Sequence, residues 1–347
     1  MPITTYGTNA GRINEIKGEI LAHAIPVEVL ALGAKMKEMP KRQGDNITYR
    51  RYIPFGATTT SVNTQNRPSV DATAHILQEG VTPEASTLTP VDVNVVMQQY
   101  GCLYSYTDKA AELYEDDIPE EQKIQAGERM SLVREMVRYG VMKACTNVIY
   151  SGGTSRATVD EIITLKALRR MARILKLNHA TKKSRILAPS ANYDTSAVEA
   201  AFCVFVSTDA EPDIRDLPHF TPVAKYANRS PISEHEIGSV EEFRFVTSPE
   251  LTAYADSGAT VGGLDLYSTT GTSADVYPFI IMGEDAVYDV ALRGMKSFDL
   301  NHIPHTTLSK SDPLNQRGYV SCKFWAAATI VNGGWMGVIE AGVTTQT

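Results

Sequence analysis

From Asn46 to Phe55, Ile47, Tyr49, Arg51 and Ile53 alternate with Thr48, Arg50 and Tyr52, the period-two pattern of a β-strand. A second alternating run, Val91 to Val95, continues through Tyr100, Cys102, Tyr104 and Tyr106. Between them lies Gly56 to Thr89, a polar stretch rich in Thr, Ser, Asn, Gly and Pro. The three segments predict a long hairpin with a polar tip. Two strands alone are marginally stable, so such a hairpin needs further support, and a connection of that length is usually functional.

The period then changes to that of a helix. Gly11 to Met39 reads as helical, with Ile13, Ile16, Ile20, Leu21 and Ala24 at helix spacing, a break at Pro26 and a second run from Val27 to Met36. After the acidic entry Glu115 to Glu121, the residues Ala126, Met130, Val133, Val137, Val141, Ala144 and Val148 keep one apolar face. That predicts a helix reaching about Tyr150, near 45 Å long at ~1.5 Å per residue. Thr158 with Glu161 has the capping-box spacing and predicts a helix from there to about Leu177. Beyond Ser184 come a candidate strand at Arg185 to Ala188 and a candidate helix at Ala191 to Val206. Short apolar strands follow at Phe243 to Val246 and Phe279 to Met282. Gly318 to Ile330 is strand-rich, and Asn332-Gly333-Gly334 predicts a hairpin returning through Trp335 to Ile339.

Composition adds bounds. The 347 residues are 43% hydrophobic and 21% charged, enough for a sizeable core and inconsistent with wholesale disorder. The net charge of −7 argues against whole-surface binding to nucleic acid. The longest apolar run, Ala200 to Val206, is far too short to span a bilayer, and Met1 to Arg12 lacks the apolar segment of a secretory signal. Cys102, Cys145, Cys203 and Cys322 form no C-x-x-C pair, so zinc-ribbon and thioredoxin patterns are absent and reduced core thiols are expected. Tyr outnumbers Phe and Trp together, 16 against 9 and 2, which suits surfaces that become buried in a partner.

Candidate chemistry is sparse. Ser151-Gly152-Gly153-Thr154-Ser155 lacks the Gly-Lys pair of a phosphate loop and reads as a helix stop. His235-Glu236 is not followed by the second His of a zincin. His302 and His305, near Asp299, have metal-ligand spacing, but Pro304 prevents a helix turn from presenting the two together. The acids from Glu115 to Glu121 fit a helix N-terminus better than a cation site. Between Lys166 and Arg185 there are eight bases and no acid, and Arg169, Arg170, Arg173 and Lys176 give one basic helix face. Of three readings (nucleic-acid binding, a solvated face, neutralisation by acids such as Glu120 and Glu121 on a neighbouring copy), the third fits best.

Several stretches together resemble the tailed-phage major capsid proteins of the Hong Kong 97-type fold, most closely a subgroup found in short-tailed phages. The carriers are Glu79-Gly80-Val81-Thr82-Pro83-Glu84, Gln99-Tyr100-Gly101 and Thr107-Asp108-Lys109-Ala110, then Glu236-Ile237-Gly238-Ser239-Val240 and Ser311-Asp312-Pro313-Leu314-Asn315-Gln316-Arg317-Gly318. Each is short, but their order and spacing cover about 45–340. The resemblance implies an α+β fold with an N-terminal arm over 1–44 and an extended E-loop hairpin over 45–100. It implies a peripheral domain with a spine helix over 101–183, an axial domain over 184–304, and a return to the peripheral domain over 305–347.

The implied function is structural and needs no cofactor: copies of the chain assemble as pentamers and hexamers into an icosahedral head around double-stranded DNA. Expected partners are other copies, a portal protein, and scaffold or decoration proteins, with assembly in the host cytoplasm. DNA is enclosed without sequence-specific binding and no membrane is involved. Interface candidates are Arg50, Arg51, Glu79, Glu84, Glu120, Glu121, Arg169, Arg170 and Arg173. No motif marks a Lys–Asn crosslink, and the short arm predicts no cleaved prodomain. An encapsulin-like compartment is the alternative on the same fold. A metal-dependent hydrolase using Asp299, His302 and His305 is the alternative of a different class.

Overall fold

The structure, a computed structural model, describes residues 25–57, 66–83, 85–113, 117–183, 200–226, 231–295, 297–307 and 313–345. Its regular elements begin with β1 (Lys35–Met39), β2 (Asn46–Tyr52), β3 (Pro90–Val96), β4 (Gln98–Thr107), α1 (Asp108–Leu113), α2 (Ile118–Met142), β5 (Val148–Tyr150) and α3 (Leu165–Leu177). They continue with β6 (Phe202–Ser207), α4 (Glu211–Arg215), β7 (Phe220–Pro222), β8 (Glu236–Val240), β9 (Phe243–Ser248), β10 (Tyr277–Met282), β11 (Val287–Leu292), β12 (Asp299–Ile303), β13 (Arg317–Ile330) and β14 (Met336–Ala341). The fold is α+β. The chain divides into two compact units. One comprises Met1–Pro26, Gly101–Met130 and Phe298–Lys323; the other comprises Val27–Tyr100, Ser131–Ser297 and Phe324–Thr347.

The larger unit is built on a seven-stranded sheet of order β5-β14-β10-β6-β9-β8-β7, with parallel pairs at β5/β14 and β6/β9 and antiparallel pairs elsewhere. Both faces are covered. Phe202, Val204 and Val206 of β6, Phe279 and Ile281 of β10 and Ile339 of β14 pack with Leu168, Met171 and Leu175 of α3. The alternate residues Cys203, Phe205, Ile280, Met282 and Val338 pack with Tyr139 and Met142 of α2 and with Val29 and Leu30. A central strand buried on both faces has no polar side and reads as a continuous apolar run. This is why 202–206, expected as the end of a helix, is instead part of strand β6; such a run cannot be told from a buried helix by periodicity. The expected strand at 185–188 and the rest of that helix lie outside the described residues.

A smaller sheet in the same unit pairs β1 parallel to β11, from Lys35↔Tyr288 to Met39↔Leu292, and β11 antiparallel to the end of β13. In the other unit, the beginning of β13 pairs with β12, from Asp299↔Lys323 to Ile303↔Tyr319, and β4 also pairs with β13.

Four further expectations are corrected. Residues 27–36, expected as helix, form a single 3₁₀ turn at Leu30–Leu32 followed by β1. The Glu135 carboxylate draws this segment in by accepting hydrogen bonds from the N–H groups of Val29 (2.7 Å) and Leu30 (2.6 Å). Helix α2 stops at Met142 rather than near Tyr150. Asn147 then docks on β14, its Nδ2 donating to the Met336 carbonyl at 2.9 Å and its own carbonyl accepting from Val338 N–H, and β5 joins the sheet. Helix α3 starts six residues later than the Thr158 signal. Thr158 instead closes a reciprocal cap with Ser155 around a 3₁₀ turn, and Thr164 Oγ1 caps α3 by accepting from Ala167 N–H. Finally, Asn332-Gly333-Gly334 is not a hairpin: β13 and β14 enter different sheets. The Asn332 side chain holds the switch by accepting from Gly334 N–H and from Asn66 Nδ2.

Candidate functional site

The expected hairpin exists. β2 and β3 pair antiparallel, from Asn46↔Val96 to Tyr52↔Pro90, and form a two-stranded sheet of their own. Its base is anchored. Ile47 and Tyr49 of β2 and Val95 of β3 join Met97, Met39, Val290, Ala327 and Trp325 in a small apolar cluster, and Tyr49 meets Tyr288 edge to face at 5.3 Å. Across the strands, Arg50 grips Asp92 through two hydrogen bonds of 2.7 and 2.8 Å. That contact holds the Asp92 carboxyl below its ordinary range.

Beyond Tyr52, internal backbone partners are few among the described residues. Ile53 N–H bonds the Thr89 carbonyl and Ser69 N–H the Phe55 carbonyl. The turn between them needs glycine: Gly56 has φ +69°, and a Cβ there would lie 1.9 Å from the Ser69 carbonyl oxygen. The segment returns to the body at Asn66, which is 6% exposed; it accepts from Arg51 Nη1 at 2.6 Å and donates to Asn332 Oδ1 at 2.6 Å. Phe55, Val70, Ile76, Leu77, Val81 and Leu88 each keep 60% or more of their surface in solvent. Isolated exposed apolar residues are ordinary, but here six fall on one segment.

The second feature is the basic face of α3. Arg169 pairs with Glu241, while Lys176 and Lys182 pair with Glu242. The acids come from the tight β8–β9 turn, where Glu241 adopts φ +48°. Arg169 and Lys176 therefore have acidic partners within the chain, where Glu120 and Glu121 of a neighbouring copy were the expected ones. Those two acids have local partners at the start of α2: Glu120 pairs with Lys123 at 2.8 Å, and Glu121 accepts from Gln125 Nε2 at 2.8 Å. Arg170 and Arg173 are exposed and have no ion-pair partner among the described residues. With Arg169 and Lys176, Arg173 lines a cleft of about 890 Å³ that Lys225 and Arg244 also border.

The other candidates fall as follows. Arg50 is held within the hairpin, and Arg51 is half-buried against Asn66, burial lowering its pKa. Glu79 is exposed on the projecting segment. Glu84 lies outside the described residues. The residues of the hydrolase alternative turn to separate partners: His302 Nε2 to the Tyr106 hydroxyl at 2.7 Å, His305 Nε2 to Glu112 at 3.3 Å, and Asp299 to Lys323 at 3.6 Å. Among the described residues there is no group of three potential ligands that could hold a metal ion, and no helix is long and apolar enough to cross a membrane.

Sequence reasoning missed a buried charge cluster in the larger unit. Arg138 reaches Asp289 (2.7 Å), Glu135 (3.1 Å) and Glu28 (3.7 Å), and Arg134 reaches Asp289 at 3.1 Å. Burial opposes the Arg138 charge, but Asp289 and Glu135 outweigh it and its pKa rises. Burial, then Glu135, raises that of Glu28. The sequence signal was the pair Glu135 and Arg138, three apart and so on one side of α2.

No protein-family model matches the chain. The chain is 21% identical over 345 residues to the major capsid protein of Pseudomonas phage KPP21, covering 87% of this chain and 85% of that one. Among solved structures, the capsid of Ralstonia phage GP4 superposes with a TM-score of 0.65 at 10% identity, covering 100% of this chain and 99% of that one. The cyanophage Pam1 capsid subunit gives 0.64 at 13% identity, covering 97% and 98%. The head of Helicobacter pylori bacteriophage KHP40 gives 0.57 at 10% identity, covering 99% and 98%. Likeness of this extent, along whole chains, establishes a shared fold.

Proposed function

We infer that this chain is a tailed-phage major capsid protein of the Hong Kong 97-type fold, a structural protein rather than an enzyme. Its copies associate with one another to form the shell of a virion. The observation that carries the reading from this chain's own residues is the β2–β3 hairpin: anchored at its base, paired only with itself among the described residues, and carrying exposed apolar side chains beyond Tyr52. A hairpin of this kind buries its apolar side chains only against another molecule. Contacts between different surfaces of identical copies can close rings and a shell, and many modest contacts made together hold it.

In this reading residues 45–100 are the E-loop, α2 is the spine helix, 101–183 and 305–347 form the peripheral domain, 184–304 forms the axial domain, and 1–44 is the arm. Pentamers and hexamers assemble in the host cytoplasm, with a portal and scaffold or decoration proteins as further partners. The exposed Arg170, Arg173 and Glu79 are the interface candidates without an ion-pair partner among the described residues. The net charge of −7 favours an enclosed DNA that does not adhere to the wall. An encapsulin-like compartment is not favoured, because the relatives on both the sequence and the structure side are phage capsids.

Electron microscopy of the purified chain under assembly conditions tests the reading. Closed shells are expected, with DNA rather than a protein cargo inside particles taken from infected cells. A chain that stays monomeric across salt and crowding conditions, alone and with its co-expressed phage proteins, would overturn it.

A further inference from the structure

Strands β4 and β13 are paired, and three contacts fix their register. Asp108 N–H donates to the Gln316 carbonyl at 3.1 Å. The Tyr106 ring fills the space where a side chain on Gly318 would stand. The position of a Cβ on Gly101 would be 3.5 Å from the Lys323 Cβ. Each step forward on β4 is matched by a step backward on β13, so the ladder is antiparallel, and it places Cys102 directly opposite Cys322. Burial agrees. Cys102, Tyr104 and Tyr106 are the more buried set on β4, and Gly318, Val320 and Cys322 the buried set on β13. Both cysteines therefore face inward, where Cys102 Sγ lies 3.8 Å from the Ala126 carbonyl of α2.

We propose that Cys102 and Cys322 are a cross-strand thiol pair that forms an intrachain disulfide under oxidising conditions, stapling β4 to β13. Directly opposed residues in an antiparallel ladder have Cα atoms roughly 4.5–5.5 Å apart, inside the range of about 4.4–6.8 Å that a disulfide spans. The two thiols are free in this structure. Cys322 is 1% exposed and burial pushes its thiol up to about 11, whereas Cys102 is half-buried. Cys102 is thus the first to react with a low-molecular-weight disulfide such as oxidised glutathione. Its thiolate attacks one glutathione sulfur and releases the other glutathione as thiolate. The Cys322 thiolate then attacks the Cys102 sulfur of the mixed disulfide and releases the second glutathione. Two cysteine thiols are oxidised by two electrons, one glutathione disulfide is reduced to two thiols, and the protons balance. Cys145 and Cys203 are buried, with thiols raised by burial, and take no part.

The test is to incubate the full chain with oxidised glutathione at mildly alkaline pH, alkylate, and map peptides without reduction. The expected result is a peptide joining residues 102 and 322, two hydrogens lighter than its reduced parts, with titratable thiols in denaturant falling from four to two. The unfolding temperature should rise and return on reduction, and a Cys102→Ser chain should lose that response. Retention of all four thiols in the wild-type chain, glutathione remaining attached to Cys102, or linkage between cysteines of different copies would each overturn the proposal. None of these outcomes depends on whether the chain assembles.

Discussion

Arg138 Nη2 lies 2.7 Å from Asp289 Oδ2, with the two side chains 4% and 2% exposed. The contact joins α2 to β11, while Glu135, which accepts a hydrogen bond from the same guanidinium, holds the backbone at Val29 and Leu30. One buried cluster therefore fixes three segments remote in sequence. Removing one member of a buried pair leaves an uncompensated charge, which costs far more than the net worth of the intact pair. Asp289→Ala is expected to destabilise the larger unit by about 3 kcal/mol or more. Chemical denaturation of the unassembled chain, followed by circular dichroism, checks this; a change under ~0.5 kcal/mol would show that the cluster is not a stabilising joint.

The projecting apolar residues separate assembly from folding. Ile76→Asp with Leu77→Asp changes side chains that are more than 70% exposed. Stability of the isolated chain is expected to stay within about 0.5 kcal/mol, as for ordinary surface changes, while shell formation measured by sedimentation is lost. Normal shells from this variant would remove the hairpin from the assembly surface.

Gly56 is under backbone and steric constraint together. Gly56→Ala places a Cβ against the Ser69 carbonyl in a left-handed conformation, and a local cost of more than ~1 kcal/mol is expected. The measurable outcome is faster proteolysis within residues 54–89, with the rest of the chain keeping its resistance.

Asn66 ties that same segment to the body through Arg51 and Asn332. Asn66→Ala takes the acceptor from the half-buried Arg51 guanidinium and leaves Asn332 Oδ1 with Gly334 N–H as its remaining donor, a loss of about 1 kcal/mol or more. Hydrogen exchange should rise at both 66–70 and 331–334, since one side chain serves both.

Glu241 has its carboxyl held below the ordinary range by the hydrogen bond from Arg169. A depressed carboxyl pKa contributes stability that is present above the ordinary value, about 4.3, and is lost as pH falls through the lower folded value. A carboxyl-carbon NMR titration of Glu241 should show the low midpoint, and Arg169→Gln should return it upward. An unchanged midpoint in that variant would dismiss the pairing in solution.

The hairpin was legible because one polar face and one half-buried face leave a period-two signature in β2 and β3. The apolar surface of its tip was not, since Phe55, Ile76, Leu77 and Leu88 are scattered among polar residues without a period. Helix α2 was legible from its acidic start and repeating apolar stripe. Its end was not, because Asn147 and β5 are captured by β14, some 190 residues away in the chain. The basic face of α3 was visible, but its partners sit on the β8–β9 turn, and only the sheet order brings Glu241 and Glu242 beneath Arg169 and Lys176.

By itself the sequence determined the α+β class and the paired strands of the β2–β3 hairpin, because these follow from local periodicity, turn chemistry and residue type. The tertiary structure decided which strands share a sheet, that β13 and β14 part at Asn332 instead of folding back, that Arg138 finds Asp289, and that Cys102 faces Cys322. Those outcomes depend on hydrogen-bond register and on the burial of charge and apolar surface between segments far apart in the chain, and no local pattern of residues encodes which distant segment will supply the partner.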